Sequence, residues 1–213
     1  MEFIDPALHQ YAEAHTSAEP EQLQALNRDT HAHVLKPRML SGHLQGRFLA
    51  LLSQLKQPRY ILEIGTYTGY SALCLAEGLQ PQGELHTLDN NEELAPRIRR
   101  YFAQSPYAAQ LHLHIGNALD LIPALKQPFD LVFIDADKKN YDKYYDLIFD
   151  QLPSGALIIA DNVLWSGKVI QPVKGKDVDT QALLDFNAKV QADPRVENVL
   201  LPVRDGLMLV RKK

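Results

Sequence analysis

Two short apolar runs in this sequence end in oxygen-bearing side chains. One reads Phe133-Ile134-Asp135-Ala136-Asp137-Lys138-Lys139-Asn140-Tyr141, the other Ile159-Ala160-Asp161-Asn162-Val163-Leu164-Trp165. As neighbouring parallel strands, they bring Asp135, Asp161 and Asn162 together at the carboxyl end of a sheet, where open α/β sheets bind ligands. Three hard oxygen donors suit Mg²⁺, with Ca²⁺ and Mn²⁺ as alternatives and water or substrate completing the shell. A strand-end Asp can also simply cap the next helix. Two such acids, the second in an Asp-Asn pair, go beyond capping, because acids gathered out of water need a cation. Lys138, at i+3 from Asp135, would have its pKa lowered by that cation and could serve as a general base. Lys139 reads as a solvated lysine at a helix start. The chain has one cysteine, Cys74, and no paired-His motif, so a structural zinc site is not expected.

A second constellation lies upstream, in Ile61-Leu62-Glu63-Ile64-Gly65-Thr66-Tyr67-Thr68-Gly69-Tyr70-Ser71. Gly65 and Gly69 allow a tight strand-to-helix turn and close approach of a ligand to the first helical N–H groups. The spacing is G-x-x-x-G, not the G-x-G-x-x-G of a pyrophosphate binder. Thr66, Tyr67 and Thr68 would crowd a diphosphate. Asp89 ends the next strand, where a carboxylate can accept ribose hydroxyls. Glu63 would repel phosphate but suits an ammonium and sulfonium ligand. A glycine loop alone says only that a nucleotide-like ligand could bind. Together with Glu63 and Asp89 it narrows that ligand to S-adenosylmethionine (SAM).

These residues need a scaffold, and the pattern of the chain supplies one. Apolar runs at Tyr60–Ile64, Glu84–Leu88, Leu111–Ile115, Phe129–Ile134 and Ala156–Ala160 alternate with helical stretches near 70–79, 92–104, 117–126 and 139–151. In the last helix Tyr141, Tyr145, Ile148 and Leu152 form one stripe. Such alternation predicts a parallel sheet with helices on both faces. Leu111-His112-Leu113-His114-Ile115 is apolar on one side only, which places it near a sheet edge and fits a 3-2-1-4-5 order. After a helix near 178–192, Val196–Val203 and Leu207–Val210 flank Arg204-Asp205-Gly206, a hairpin signal that makes the last strand antiparallel. Residues 1–58 read as helical. Leu44, Phe48, Leu51, Leu52 and Leu55 have the spacing of one buried helix face, and Gln57-Pro58 ends that helix.

The bulk numbers fit one domain of 213 residues, with 1–58 as an N-terminal helical segment and 59–213 as the α/β core. The hydrophobic share of 46% is ordinary for a globular chain. A net charge of −4 disfavours a general nucleic-acid footprint, though it leaves room for a local basic patch. The N-terminus lacks the basic and apolar regions of a signal peptide, and no apolar run could span a bilayer. The expected location is the cytoplasm. His31 and His33 read as packing or surface residues and Cys74 as a small core residue.

The stretches ILEIGTYTGYSALCLA, HTLDNN, IGNALDLIP, FIDADKKNYDKYYD, IIADNVLWSGKV and DGLMLVRKK together resemble the metal-dependent O-methyltransferases, which include catechol O-methyltransferase and plant caffeoyl-CoA O-methyltransferase. The likeness runs from about residue 20 to the C-terminus and is closest to the bacterial and caffeoyl-CoA branch. The resemblance implies a class I SAM-methyltransferase (Rossmann-like) fold with a seven-stranded, mostly parallel sheet of order 3-2-1-4-5-7-6. It implies Asp135, Asp161 and Asn162 as metal ligands and Lys138 as base. It also implies Ser41, Glu63, Gly65, Thr66, Ser71, Asp89, Ala118 and Asp135 as SAM contacts, and a homodimer.

The implied acceptor is an aromatic vicinal diol of catechol, caffeoyl or flavonoid type. Some bacterial relatives methylate a hydroxylated uridine in tRNA, so tRNA is the alternative acceptor. Ser166 occupies a substrate-contact position that is Asn in the caffeoyl-CoA enzymes, and Trp165 is either a wall of the acceptor pocket or core packing. The segment Ser166–Asp177 carries Lys168, Lys174 and Lys176. It would either overhang the site and attract an anionic acceptor, or be a solvated loop. Two other classes compete. A NAD-dependent oxidoreductase would need the absent G-x-G-x-x-G turn. A non-catalytic SAM-binding protein would not need Asp135, Asp161, Asn162 and Lys138 together.

Overall fold

A computed structural model describes residues 4–213. The first three residues of the segment expected to be helical lie outside the described residues. Seven strands form one sheet: β1 (Tyr60–Ile64), β2 (Glu84–Asp89), β3 (Leu111–Ile115), β4 (Leu131–Ile134), β5 (Leu157–Asp161), β6 (Val196–Leu201) and β7 (Leu207–Lys212). Their order is β3-β2-β1-β4-β5-β7-β6. The first five are mutually parallel, and β7 runs antiparallel to both β5 and β6. This is the expected order, with β3 at one edge and the terminal hairpin at the other.

Eight helices accompany the sheet: α1 (Pro6–Ala14), α2 (Glu21–His33), α3 (Gly42–Lys56), α4 (Tyr70–Ala76), α5 (Ala95–Ala103), α6 (Ala118–Leu121), α7 (Tyr141–Phe149) and α8 (Val178–Ala192). Alternation along each central strand sends neighbouring residues to opposite faces. Leu62 and Ile64, with Val132, Ile134 and Ile158, pack against Tyr141, Tyr145, Ile148, Phe186 and Val190. On the other face Ile61, Leu131, Phe133 and Ile159 meet Leu26, Leu49, Leu73 and Phe102. Each such fully buried side chain contributes roughly 1.5–3 kcal/mol over leaving it exposed. The Tyr141–Leu152 stripe is buried as its spacing required.

Several helices are shorter than the pattern suggested, because 3-10 turns take their first or last residues: Glu92–Leu94 before α5, Ile122–Ala124 after α6 and Lys138–Asn140 before α7. A larger departure concerns α3. The residues it buries are Gln45, Gly46, Leu49, Ala50 and Ser53. Only part of the stripe read as its buried face meets the core: Phe48 and Leu52 pack against it, Leu44 is partly covered, and Leu51 is 54% and Leu55 74% exposed. The period was right and the face only in part. Gly46 lies so close to α4 that a Cβ there would stand 2.6 Å from the Tyr70 ring. Small and polar residues therefore face α4. His31 and His33 are exposed and Cys74 is buried, as expected.

Candidate functional site

The carboxyl ends of β1, β2, β4 and β5 open into a cavity of about 1730 Å³. Its wall includes Ser41, Gly65, Thr66, Ser71, Asp89, Ala118, Asp135, Lys138, Asp161, Asn162, Trp165 and Ser166. Every site residue picked from the sequence is on that wall except Glu63, which lies beneath it.

The glycine loop is built by close approach. Gly65 has φ of +101°, and a Cβ on it would lie 2.0 Å from the Asp135 carbonyl oxygen, so the turns after β1 and β4 can touch only if this residue is glycine. Gly69, at φ +89°, then starts α4. Asp89 Oδ2 accepts the backbone N–H groups of Thr66 (3.0 Å) and Tyr67 (2.7 Å), which locks the loop to the end of β2. Asn117 caps α6 by accepting the Leu119 N–H, which sets Ala118 on the cavity wall.

Glu63 is fully buried. Thr87 Oγ1 donates to its Oε2 at 2.5 Å and lies 2.5 Å from Thr66 Oγ1, while its Oε1 has no partner. Burial pushes its pKa up to about 8, against the lowering effect of hydrogen bonds from Ser71 and Thr87.

At the ends of β4 and β5 the acids are packed together. Asp161 is 3% exposed. Gln45 Nε2 donates to its Oδ2 at 2.6 Å, and the Asn162 N–H donates to its Oδ1 at 2.6 Å. Its pKa is pushed up to about 6, by burial first and then by the Asp135 carboxylate. Lys138 Nζ, itself buried, donates to Asp135 Oδ1 at 3.0 Å and to Tyr141 Oη at 2.6 Å. Tyr141 Oη in turn donates to the carbonyl of Asp161 at 3.0 Å. Burial raises the Tyr141 pKa well above its ordinary value, so the hydroxyl stays protonated. The Lys138–Tyr141 pair thus joins the ends of the two strands.

Asn162, Trp165 and Ser166 all have positive φ, at 60°, 47° and 52°. Non-glycine residues adopt this region at a cost, and such residues gather at functional sites. Trp165 packs on the α7–α8 core and also lines the cavity, with its ring 5.8 Å from Lys138 Nζ. Both readings of Trp165 thus describe parts of its surroundings. Its Nε1 is buried without a partner. The Ser166 N–H donates to Asp205 in the β6–β7 turn.

Lys168 is tied to Asp177 at 3.0 Å, and none of Lys168, Lys174 and Lys176 is among the residues lining the cavity. The cations that do line it are Lys36, Arg38, Arg97, Lys138, Lys139 and Arg204.

Sequence reasoning missed Gln45, Tyr141 and Arg204 as site residues. Arg204 Nη1 donates to Gln45 Oε1 at 3.1 Å and to the Ser41 carbonyl, so it steadies the residue that holds Asp161. The available signal was a polar residue, Gln45, inside an apolar helix. Tyr141 was read only as part of a core stripe.

The sheet with its antiparallel last strand, the glycine loop and the acid after β2 define a class I SAM-dependent methyltransferase. Residues 13–213 match the O-methyltransferase family, and the chain belongs to that family. It is 34% identical to caffeoyl-CoA O-methyltransferase 2 of Eucalyptus globulus, over 97% of this chain and 88% of that one. It is 36% identical to catechol O-methyltransferase of Niastella koreensis, over 74% of this chain and 72% of that one. Among solved structures it is similar to an O-methyltransferase from Bacillus cereus in complex with SAH, with a TM-score of 0.90, 32% identity and 97% of each chain covered. It is also similar to TomG from Streptomyces achromogenes in complex with SAM, with a TM-score of 0.90, 29% identity, and 97% and 96% covered. The protein is a SAM-dependent O-methyltransferase of the caffeoyl-CoA and catechol type. No helix among the described residues is long and apolar enough to cross a membrane.

Proposed function

We propose that the protein methylates one hydroxyl of an aromatic vicinal diol held beside a divalent cation. The observation that carries this reading is the Asp161 carboxylate: buried, raised in pKa, and set next to a second acid at the wall of the SAM cavity. Among the described residues Lys138 is the only cation hydrogen-bonded to Asp135, and Gln45 offers Asp161 only a neutral amide. The cluster therefore has room for positive charge, and its all-oxygen donors fit Mg²⁺, with Ca²⁺ or Mn²⁺ as alternatives. Asp135, Asp161 and Asn162 would hold the ion. Bound there, it would lower the pKa of the acceptor hydroxyl and fix both diol oxygens.

The chain's own residues supply the rest. Ser41, Gly65, Thr66, Ser71, Asp89, Ala118 and Asp135 shape the SAM side of the cavity, with Glu63 acting from beneath through Ser71. Lys138 Nζ, in its neutral amine form, takes the proton from the acceptor hydroxyl, and Tyr141 and Asp135 orient that nitrogen. Trp165 and Ser166 form the acceptor side. Orientation of acceptor oxygen against methyl donor within one cavity can lower such a barrier by up to ~7–11 kcal/mol.

Leu51 and Leu55, exposed one turn apart on α3, support a homodimer formed through that helix, because apolar side chains so placed lose water against a second copy. Leu51→Glu with Leu55→Glu should yield a monomer by light scattering; an unchanged mass would remove that interface.

The decisive assay follows methyl transfer to caffeate, caffeoyl-CoA, simple catechols, flavonoid diols and tRNA, with and without EDTA. Transfer to diols, lost in EDTA and restored by Mg²⁺, is expected. Transfer that ignores EDTA, or that serves lone hydroxyls equally well, would overturn the reading.

A further inference from the structure

Away from the cavity, the β2–β3 edge of the sheet gathers three imidazoles and a carboxylate on one face. Glu84 and His86 share that face by strand alternation, as do His112 and His114 on β3. His86 and His112 are direct partners in the parallel register. One ligand atom from each of Glu84, His86 and His112 lies within 4.8 Å of the other two. The His86 ring is buried, stacked 4.9 Å from His112 and 5.2 Å from His114. None of Glu84, His86 and His112 is among the residues lining the cavity.

We propose that Glu84, His86 and His112 bind one late first-row divalent cation, with Zn²⁺ as the reference ion, and that His114 positions His86 for it. Imidazole nitrogen with a single carboxylate is a donor set for such ions and a poor one for Mg²⁺. His86 Nε2 and Glu84 Oε2 stand 3.0 Å apart. Two donors on a tetrahedral zinc with ~2.0 Å bonds stand ~3.3 Å apart, so little movement is needed. The other nitrogen, His86 Nδ1, lies 3.0 Å from His114 Nε2. With an ion on Nε2, Nδ1–H donates to His114, the outer hydrogen bond that ligating histidines usually make. Burial lowers the pKa of His86 and of His114, which favours the neutral rings that ligation needs. Two strands contribute, so the ion would pin edge strand β3 to β2. Asp89 ends β2 and Ala118 opens the helix that follows β3, and both are on the cavity wall.

These ligands follow the two-residue period of strands, H-x-H and E-x-H, and meet only through the register, so no sequence motif announces them.

The test uses full-length, tag-free protein in saturating Mg²⁺, which occupies the oxygen-donor site. Zn²⁺ is titrated in competition with a chromophoric chelator, and Co²⁺ absorption reports the coordination. One equivalent of Zn²⁺ should bind and raise the melting temperature. His112→Ala and Glu84→Gln should each weaken it by more than the ~10–100-fold that outer partners carry, and His114→Ala by about that amount. Asp161→Asn should leave Zn²⁺ binding unchanged. Absence of a one-equivalent site would overturn the proposal, as would binding indifferent to both Glu84→Gln and His112→Ala. Loss of binding in Asp161→Asn would place the ion at the carboxyl end instead. Glu84→Gln changes a half-exposed side chain, so the test stands even if a histidine variant misfolds.

Discussion

Acids at the two ends of the same sheet are treated in opposite ways. At the carboxyl end, burial and the neighbouring Asp135 push Asp161 up to about 6, and burial pushes Glu63 up to about 8. At the amino end, Asp193 stands before β6 and its hydrogen bonds to Arg195 hold it well below the usual carboxylate range. Arg195 grips it through Nε (2.9 Å) and Nη2 (2.7 Å), and Tyr145 Oη adds a third donor at 3.0 Å. Asp130, before β4, accepts the N–H groups of Arg59 and Tyr60. Lys212, at the end of β7, donates to the last carbonyls around α7. Asp193, Asp130 and Lys212 at this end are thus each partnered within the fold. The carboxyl end keeps negative charge in excess, as an end made to receive cationic or electrophilic ligands should.

The largest test of this contrast is Asp161→Asn. The amide keeps the shape and removes a buried charge, and its single oxygen can accept from Gln45 or from the Asn162 N–H but not from both. Methyl transfer should fall by about 10³-fold or more, as loss of several kcal/mol of charge stabilisation requires. SAM affinity, read by calorimetry, should change little. Without metal, the variant should melt no lower than the parent at neutral pH, since a poorly compensated buried carboxylate has gone. A lower melting point together with full activity would mean that Asp161 is structural, like the acids at the amino end.

Lys138→Met comes next. It removes the proton acceptor while keeping the aliphatic stem against Tyr141 and Trp165. The turnover number should drop about 10²–10⁴-fold, the usual range for a general base, with SAM binding retained. Equal losses in SAM affinity and turnover would make Lys138 a positioning residue for the Asp135 turn.

How much of this contrast was readable in the sequence depends on distance along the chain. Asp135, Asp161, Asn162 and the glycine loop stand next to apolar runs, so strand ends alone announce them. The parallel core, the edge position of β3 and the antiparallel last strand followed from strand–helix alternation, the half-polar β3 and the Arg204-Asp205-Gly206 turn, while the full seven-strand order came only with the family resemblance. The α3 face was misread in part because Leu51 and Leu55 lie on its uncovered side, and periodicity finds a face without saying what covers it. Gln45, Arg204 and Tyr141 were invisible as site residues for a related reason. Each acts on a strand end far away in sequence, through a contact that only packing creates. Glu63 was legible as a strand-end acid, whereas its full burial off the cavity wall is set by packing.

Asp89→Ala is a milder probe of the carboxyl end. Asp89 braces the loop through Thr66 and Tyr67 and faces the cavity where a ribose would lie. Loss of one charge-assisted hydrogen bond, ~1.5–3 kcal/mol, should weaken SAM about 10–100-fold by calorimetry. Turnover at saturating SAM should fall much less. Unchanged affinity would show that Asp89 serves the loop alone.

The smallest expected effect lies at the amino end. Because the folded pKa of Asp193 is below its unfolded value, near 3.9, its stabilisation is present above about pH 4 and is lost as pH falls through the folded value. Asp193→Asn keeps the shape and some hydrogen bonds but not the charge. The Arg195 side chain is 55% exposed, so solvent screens the pair. A contribution of at most about 1 kcal/mol would lower the melting temperature by ~2–4 °C in a chain of this size. That gap between parent and variant should be widest near pH 7 and narrow towards pH 3, by calorimetry at low salt. A gap independent of pH would mean that Asp193 contributes shape rather than charge, and the contrast between the two ends would lose its electrostatic basis.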